Sequence, residues 1–189
     1  MLYIFVSKKN VFSDKLFSNL KNGNNKWICV NQKNDLQECI NKFGNEITKL
    51  FFFHWNFIVP KKIYNNFECI NIHTSNLPNG KGGSPLQNQI CDKIKFTKVN
   101  ALQMSDIGLD AGPIYNHKNI SLQGSLNDIW LTLSYAALEL INDIIDNNIK
   151  PVEQPSGDFV TYKRRKNNEI PFDKEDLEGI YDFIRMLDN

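Results

Sequence analysis

Histidine occurs three times in this chain and cysteine four times, with no Cys-x-x-Cys pair, so neither a zinc centre nor a disulfide framework is indicated. Reduced thiols in a cytoplasm are the simplest reading. No apolar run approaches the roughly 18 residues that a membrane span needs. The N-terminal run, Met1-Leu2-Tyr3-Ile4-Phe5-Val6, breaks at Ser7-Lys8-Lys9 and is too short for the apolar core of a signal peptide. A cytoplasmic location is therefore expected. An excess of either charge is also missing. The 22 Lys plus Arg face 21 Asp plus Glu, for a net charge of +1, so no global field draws the chain to a polyanion and bulk nucleic-acid binding is disfavoured. Ser7-Lys8-Lys9-Asn10 stands where a dinucleotide-binding chain would carry Gly-x-Gly-x-x-Gly, which argues against a nicotinamide cofactor. Gly80-Lys81-Gly82-Gly83-Ser84 lacks the spacing of a phosphate-binding loop, which argues against an ATPase.

What is present suffices for one packed domain: 189 residues, 41% of them apolar. Residues 2–6, 27–30 and 48–53 are short β-rich runs, separated by stretches of helical spacing such as Leu36, Cys39, Ile40 and Phe43. Strand alternating with helix implies a parallel sheet. A short helix after Pro60 and a strand from about Phe67 to His73 complete a Rossmann-like half. Phe96 to Met104 and Ile114 to Leu122 read as two more strands around the Asp106–Pro113 loop. Ser125-Leu126-Asn127-Asp128 reads as a capping box with Asp in place of Glu, before a long helix with Ile129, Leu133, Ala137, Leu140 and Ile144 on one face. The whole is an α/β fold, a mixed, mostly parallel sheet flanked by helices. Residues 1–150 are expected to form the main domain, the one to carry any catalysis, and 151–189 a polar tail with an amphipathic helix, packed on the core or at a dimer contact.

Two segments carry the chemistry. Asn71-Ile72-His73 ends one apolar run, and Gly108-Leu109-Asp110-Ala111-Gly112-Pro113 follows another. Side chains two positions apart on a strand share a face, so Asn71 and His73 point the same way. When an amine attacks a formyl or acyl carbonyl, the oxygen gathers negative charge and the amine must lose a proton. Asn71 can donate to that oxygen, while His73 can donate when protonated or accept when neutral. A nearby Asp110 would orient the ring, favour its charged form or relay a proton. No metal is called for.

With Ser75, Leu77-Pro78 and the glycine-rich turn to Pro85, these residues resemble the 10-formyltetrahydrofolate-dependent formyltransferases. The similarity covers Phe51 to Pro113 closely and the remainder loosely. It implies a formyltransferase fold with Asn71, His73 and Asp110 as the catalytic triad. It also implies that main-chain groups of Trp55, Asn56, Phe57 and Ile58, and of Asp106, Ile107, Gly108 and Leu109, hold the pterin of the co-substrate 10-formyltetrahydrofolate. The segments 53–60, 82–88 and 163–165 are most similar to sugar-nucleotide N-formyltransferases of the pseudaminic acid pathway, which implies a UDP-linked 4-amino-4,6-dideoxy sugar as acceptor. Ser7, Lys8, Lys9, Lys81, Arg164 and Arg165 are then candidates for the diphosphate.

Lys81 stands where the family often has Arg, Thr74 where Pro follows the His, and Asn76 where Leu is frequent. The tRNA-directed members carry a further C-terminal domain beyond the point corresponding to Asn189, an expectation against methionyl-tRNA. Glycinamide ribonucleotide or water could instead receive the formyl group, and a catalytically silent folate- or nucleotide-binding module could carry the same fold. Small relatives commonly pair, which suggests a homodimer through the tail after Asp173. His54 borders the folate slot or serves the surface, and His117 is expected in solvent.

Overall fold

The computed structural model describes residues 1–166 and 176–187. In chain order the elements are β1 (Leu2–Ser7), α1 (Val11–Leu20), β2 (Lys26–Val30), α2 (Lys33–Phe43), β3 (Ile47–Phe53), α3 (Lys61–Tyr64), β4 (Cys69–Thr74), β5 (Lys81–Gly82), α4 (Pro85–Cys91), β6 (Phe96–Gln103), β7 (Ile114–Ser121), α5 (Leu126–Asn147), β8 (Thr161–Tyr162) and α6 (Leu177–Leu187). Of the C-terminal tail, residues 167–175 and 188–189 lie outside the described part, and Asp173 with them.

Six strands form one sheet in the order β2-β1-β3-β4-β6-β7. The first four run parallel, and β6 and β7 are antiparallel. This is the mixed, mostly parallel sheet that the alternating pattern predicts. A parallel sheet is buried on both faces, so its strands read as unbroken apolar runs. β1 shows this, with all six residues buried. Tyr3, Phe5, Phe51, Phe53, Ile70 and Ile72 face α1 and α5 in one core layer, and Ile4, Val6, Leu50, Phe52 and Cys69 face α2 and α3 in the other. Each fully buried Phe contributes on the order of 1.5–3 kcal/mol to that packing.

The helices begin where their caps dictate. Asn10 accepts from the amides of Phe12 and Ser13 at the start of α1. Ser125 and Asp128 form the reciprocal capping box of α5, a helix of 22 residues. The segment after α5 returns to the core: Val152 exchanges two backbone hydrogen bonds with Ile114, and β8 pairs with β5 as a two-stranded ribbon. α6 packs on α4, and its Arg185, 8% exposed, reaches the carbonyls of Leu122 and Gly124.

Candidate active site

In an open α/β sheet the C-terminal ends of the parallel strands frame the ligand crevice, and β4 ends there with Asn71 and His73. The register sets Asn71 opposite Phe52 on β3 and Leu102 on β6, with His73 opposite Asn100. Both polar side chains lie on the face shared with Cys69 and Phe52. The chain leaving β4 is held by Asn100, whose buried amide donates to the carbonyls of His73 (3.3 Å) and Ser75 (2.7 Å).

Asp110 arrives from the β6–β7 connection. Its backbone is left-handed, φ +54°, a conformation that Asp tolerates better than most side chains. Its carboxylate collects three partners. Asn71 Nδ2 donates to Oδ1 at 3.0 Å, the Gly82 amide donates to Oδ2 at 3.0 Å, and His73 Nδ1 lies 3.4 Å from Oδ2. His73 Nε2 lies 3.0 Å from the Gly80 carbonyl. A carbonyl only accepts, so Nε2 carries a hydrogen, and Nδ1 bonds the carboxylate only when it carries one as well. His73 is 6% exposed and Asp110 8%, while Asn71 is half-buried, which leaves the amide as the most accessible of the three. Cys69, on the same face, is no competing nucleophile: burial, then the Glu68 charge, pushes its thiol up to about 12.

Gly80 must be glycine. Its φ is +81°, and an added Cβ would come within 2.7 Å of Ser75 Cβ and 2.9 Å of the Tyr162 ring. That close approach aims its carbonyl at His73. The Gly80 carbonyl and the Gly82 amide are site groups that residue-by-residue reading misses, because main-chain atoms have no letter in a sequence. The signal was three glycines in the four positions 80–83.

Lys61 at the start of α3, just beyond the first segment expected to meet a pterin, pairs through Nζ with the Asp106 carboxylate of the second, an exposed ion pair at 2.8 Å. The Lys61 hydrogen bond holds that carboxyl below the usual range. Trp55 is half-buried and packs edge-on to Phe57, with ring centroids 5.1 Å apart. Asn56, Phe57, Ile58, Asp106, Ile107, Gly108 and Leu109 are exposed. Four large apolar side chains in solvent on two neighbouring loops form a surface suited to a flat heteroaromatic ligand. A cavity of about 280 Å³ opens beside Phe57, against Asn31, Gln32, Lys33 and Asn34. A larger cleft, about 500 Å³, opens at the other end of β4 near Lys49, Glu68 and Tyr115 and shares no residue with the triad.

The six phosphate candidates do not form one cluster. Lys81, Arg164 and Arg165 gather on the β5–β8 ribbon next to Gly82. Arg165 is engaged there, bonded to Asn88 and stacked over Phe183. Lys8 and Lys9 are exposed at the end of β1, two strands from β4. Ser7, the last residue of β1, is 0% exposed, with its Oγ buried and without a hydrogen-bond partner. His54 lies against Trp130 and Asn10, not in the pterin segment, and His117 is exposed as expected. Among the described residues no group of three or more His, Cys, Asp or Glu is placed to hold a metal ion, and no helix is long and apolar enough to cross a membrane.

The whole chain superposes on a methionyl-tRNA formyltransferase from Clostridium thermocellum with a TM-score of 0.89 and 32% identity, covering 100% of this chain and 84% of that one. This chain belongs to the formyltransferase family. A methionyl-tRNA formyltransferase of Rickettsia massiliae (strain Mtu5) is 33% identical over 143 residues, 72% of this chain and 46% of that protein. The chain thus spans about half the length of the curated relatives it matches. The formyltransferase PseJ from Anoxybacillus kamchatkensis, solved with UDP-4,6-dideoxy-4-formamido-L-AltNAc and tetrahydrofolate, shares the fold at a TM-score of 0.66 and 18% identity, over 86% of each chain. No family model matches this chain.

Proposed function

We propose that this chain transfers a formyl group from 10-formyltetrahydrofolate to a primary amine, with Asn71, His73 and Asp110 as its catalytic residues. The observation that carries the reading is the convergence of an amide, an imidazole and a carboxylate from segments 39 positions apart at the end of β4. The donor supplies a one-carbon acyl group on nitrogen. Main-chain groups of 55–58 and 106–109 hold its pterin, and Phe57, Ile58, Ile107 and Leu109 cover it from water. As the amine nitrogen bonds to the formyl carbon, negative charge develops on the formyl oxygen. The second Asn71 N–H donates to it, the kind of preorganised donation whose loss costs roughly 100- to 1,000-fold in rate, and a His73 ring N–H joins it by exchanging its resting partner, the Gly80 carbonyl or the Asp110 carboxylate, for the formyl oxygen. Asp110 takes the amine proton, directly or through water, and the folate nitrogen leaves with a proton as its carbon bond breaks.

For the acceptor, the reading that relatives at about one-third identity favour is methionyl-tRNA. Net charge averages over the whole surface and so argued against nucleic acid, yet Lys81, Lys163, Arg164 and Lys166 concentrate positive charge on one ribbon beside the triad. The UDP-linked 4-amino-4,6-dideoxy sugar rests on the local similarity of segments 53–60, 82–88 and 163–165, and its named structural counterpart shares the fold alone. Tetrahydrofolate release with methionyl-tRNA, that sugar nucleotide and glycinamide ribonucleotide as competing acceptors decides between them. Methionyl-tRNA is expected to turn over fastest. Absence of turnover with all three, or full turnover after His73→Ala, overturns the proposal.

A further inference from the structure

Asp110 does not hold its left-handed backbone unaided. Val152 and Ile114 exchange two hydrogen bonds of 2.8 Å, which sets the following turn of chain alongside residues 110–112. From there Gln154 reaches back across the loop. Its single amide nitrogen donates to the Asp110 carbonyl at 2.9 Å and to the Gly112 carbonyl at 2.8 Å, so each of its two hydrogens has one main-chain acceptor. Its Oε1 is buried without a partner. The two carbonyls fix the orientation of the amide, since turning it over would set an oxygen against two carbonyl oxygens and leave the NH₂ group with nothing to bond. Gly112 closes the other side of the loop. An added Cβ there would lie 1.8 Å from the Gln103 carbonyl, and Gln103 N–H bonds the Pro113 carbonyl at 2.8 Å.

We infer that Gln154 is a positioning residue for the Asp110 carboxylate, clamping the carbonyls on either side of Ala111 so that the carboxylate meets Asn71, Gly82 and His73 together. The inference rests on the proposed role of Asp110 in formyl transfer. Its physical basis is leverage: Gln154 touches neither His73 nor Asn71, but the direction of the Asp110 side chain is set by the peptide groups it holds. A misplacement near 1 Å in a catalytic group is enough to cost ~100-fold in rate.

Gln154→Glu tests this at nearly constant shape, because a carboxylate puts oxygens where the clamp needs donors. Gln154→Ala removes the clamp altogether. Both variants should lose ~10- to 100-fold in kcat while KM for 10-formyltetrahydrofolate stays within ~2-fold. Amide hydrogen exchange supplies a reading independent of activity. The Gly82 N–H, which donates to Asp110 Oδ2, should exchange faster in both variants while amides of β1 and α5 keep their protection. Unchanged kcat and unchanged Gly82 protection would overturn the inference, as would a loss of protection spread evenly over the fold, which marks a merely structural role. If the unaltered protein fails to transfer formyl at all, the functional reading falls, and the Gly82 exchange still decides whether Gln154 positions Asp110.

Discussion

Asn71 Nδ2 donates to Asp110 Oδ1 at 3.0 Å across 39 positions of sequence. The bond fixes the roles available to both partners. It commits one N–H of the amide to the carboxylate and leaves the second to face the crevice from the one half-buried member of the triad. It also occupies one carboxylate oxygen, so that the other serves Gly82 and His73.

Asp110→Asn separates charge from shape. Asn also accepts the left-handed backbone and retains an oxygen for hydrogen bonding, so the thermal midpoint should move by no more than a few degrees. Proton transfer by a positioned carboxylate is typically worth ~100- to 10,000-fold, and formyl transfer should fall by at least ~100-fold. A variant with near-normal kcat in a tetrahydrofolate-release assay would remove Asp110 from the mechanism.

Phe57 is half exposed, 49%, so truncation to Ala should leave stability nearly untouched. If its ring covers the pterin, Phe57→Ala should weaken tetrahydrofolate binding about 10-fold, about 1.4 kcal/mol. Isothermal titration calorimetry reads this directly, and an unchanged Kd would place the pterin elsewhere.

Arg185 and Asp182 form a buried pair on α6, Nε to Oδ1 2.6 Å, with Asp182 only 2% exposed. Arg185→Ala strands that carboxylate and removes the donors to Leu122 and Gly124, a change that typically costs about 3–5 kcal/mol. The urea midpoint should fall accordingly. Asp182→Asn combined with Arg185→Met should recover much of the loss, and equal losses in the single and double variants would contradict the account.

Desolvation of the ring against Trp130, then the Lys8 charge, holds the His54 imidazole below its ordinary value of 6.5, and its Nδ1 lies 2.9 Å from Asn10 Nδ2, where a neutral ring accepts. Protonation turns that acceptor into a donor. With the folded-state pKa depressed, the unfolded chain binds more protons between the two values. The contribution is therefore complete above pH 6.5 and is lost as pH falls through the folded value. His117, though exposed, shifts the same way through partial desolvation by its neighbours, then the Lys98 charge. Denaturant midpoints measured from about pH 7.5 down to about 5, the range in which histidine titrates, should fall in the unaltered chain and fall less in His54→Gln. An identical slope in both would assign the effect to His117 alone.

Much of this was legible in the sequence. The period-two and unbroken apolar runs located the six strands of the main sheet to within about two residues, though not the short β5 and β8, and the Ser125 capping box marked the start of α5. Asn71 and His73 were readable as a pair because strand geometry puts alternate residues on one face whatever the rest of the chain does. The site's main-chain half was not: the Gly80 carbonyl, the Gly82 amide and the clamp from Gln154 arise from segments that the fold brings together. The burial of Ser7 was hidden for the same reason, since a residue that ends a strand can turn toward the crevice or into the core. Local sequence determines the caps, the strand periodicity and the candidate polar groups, because each depends on neighbours a few bonds away. Tertiary structure decided which of those groups meet, because contact between distant segments depends on sheet order and on close approaches, such as Gly80 against Ser75 and Tyr162, that only the folded chain creates.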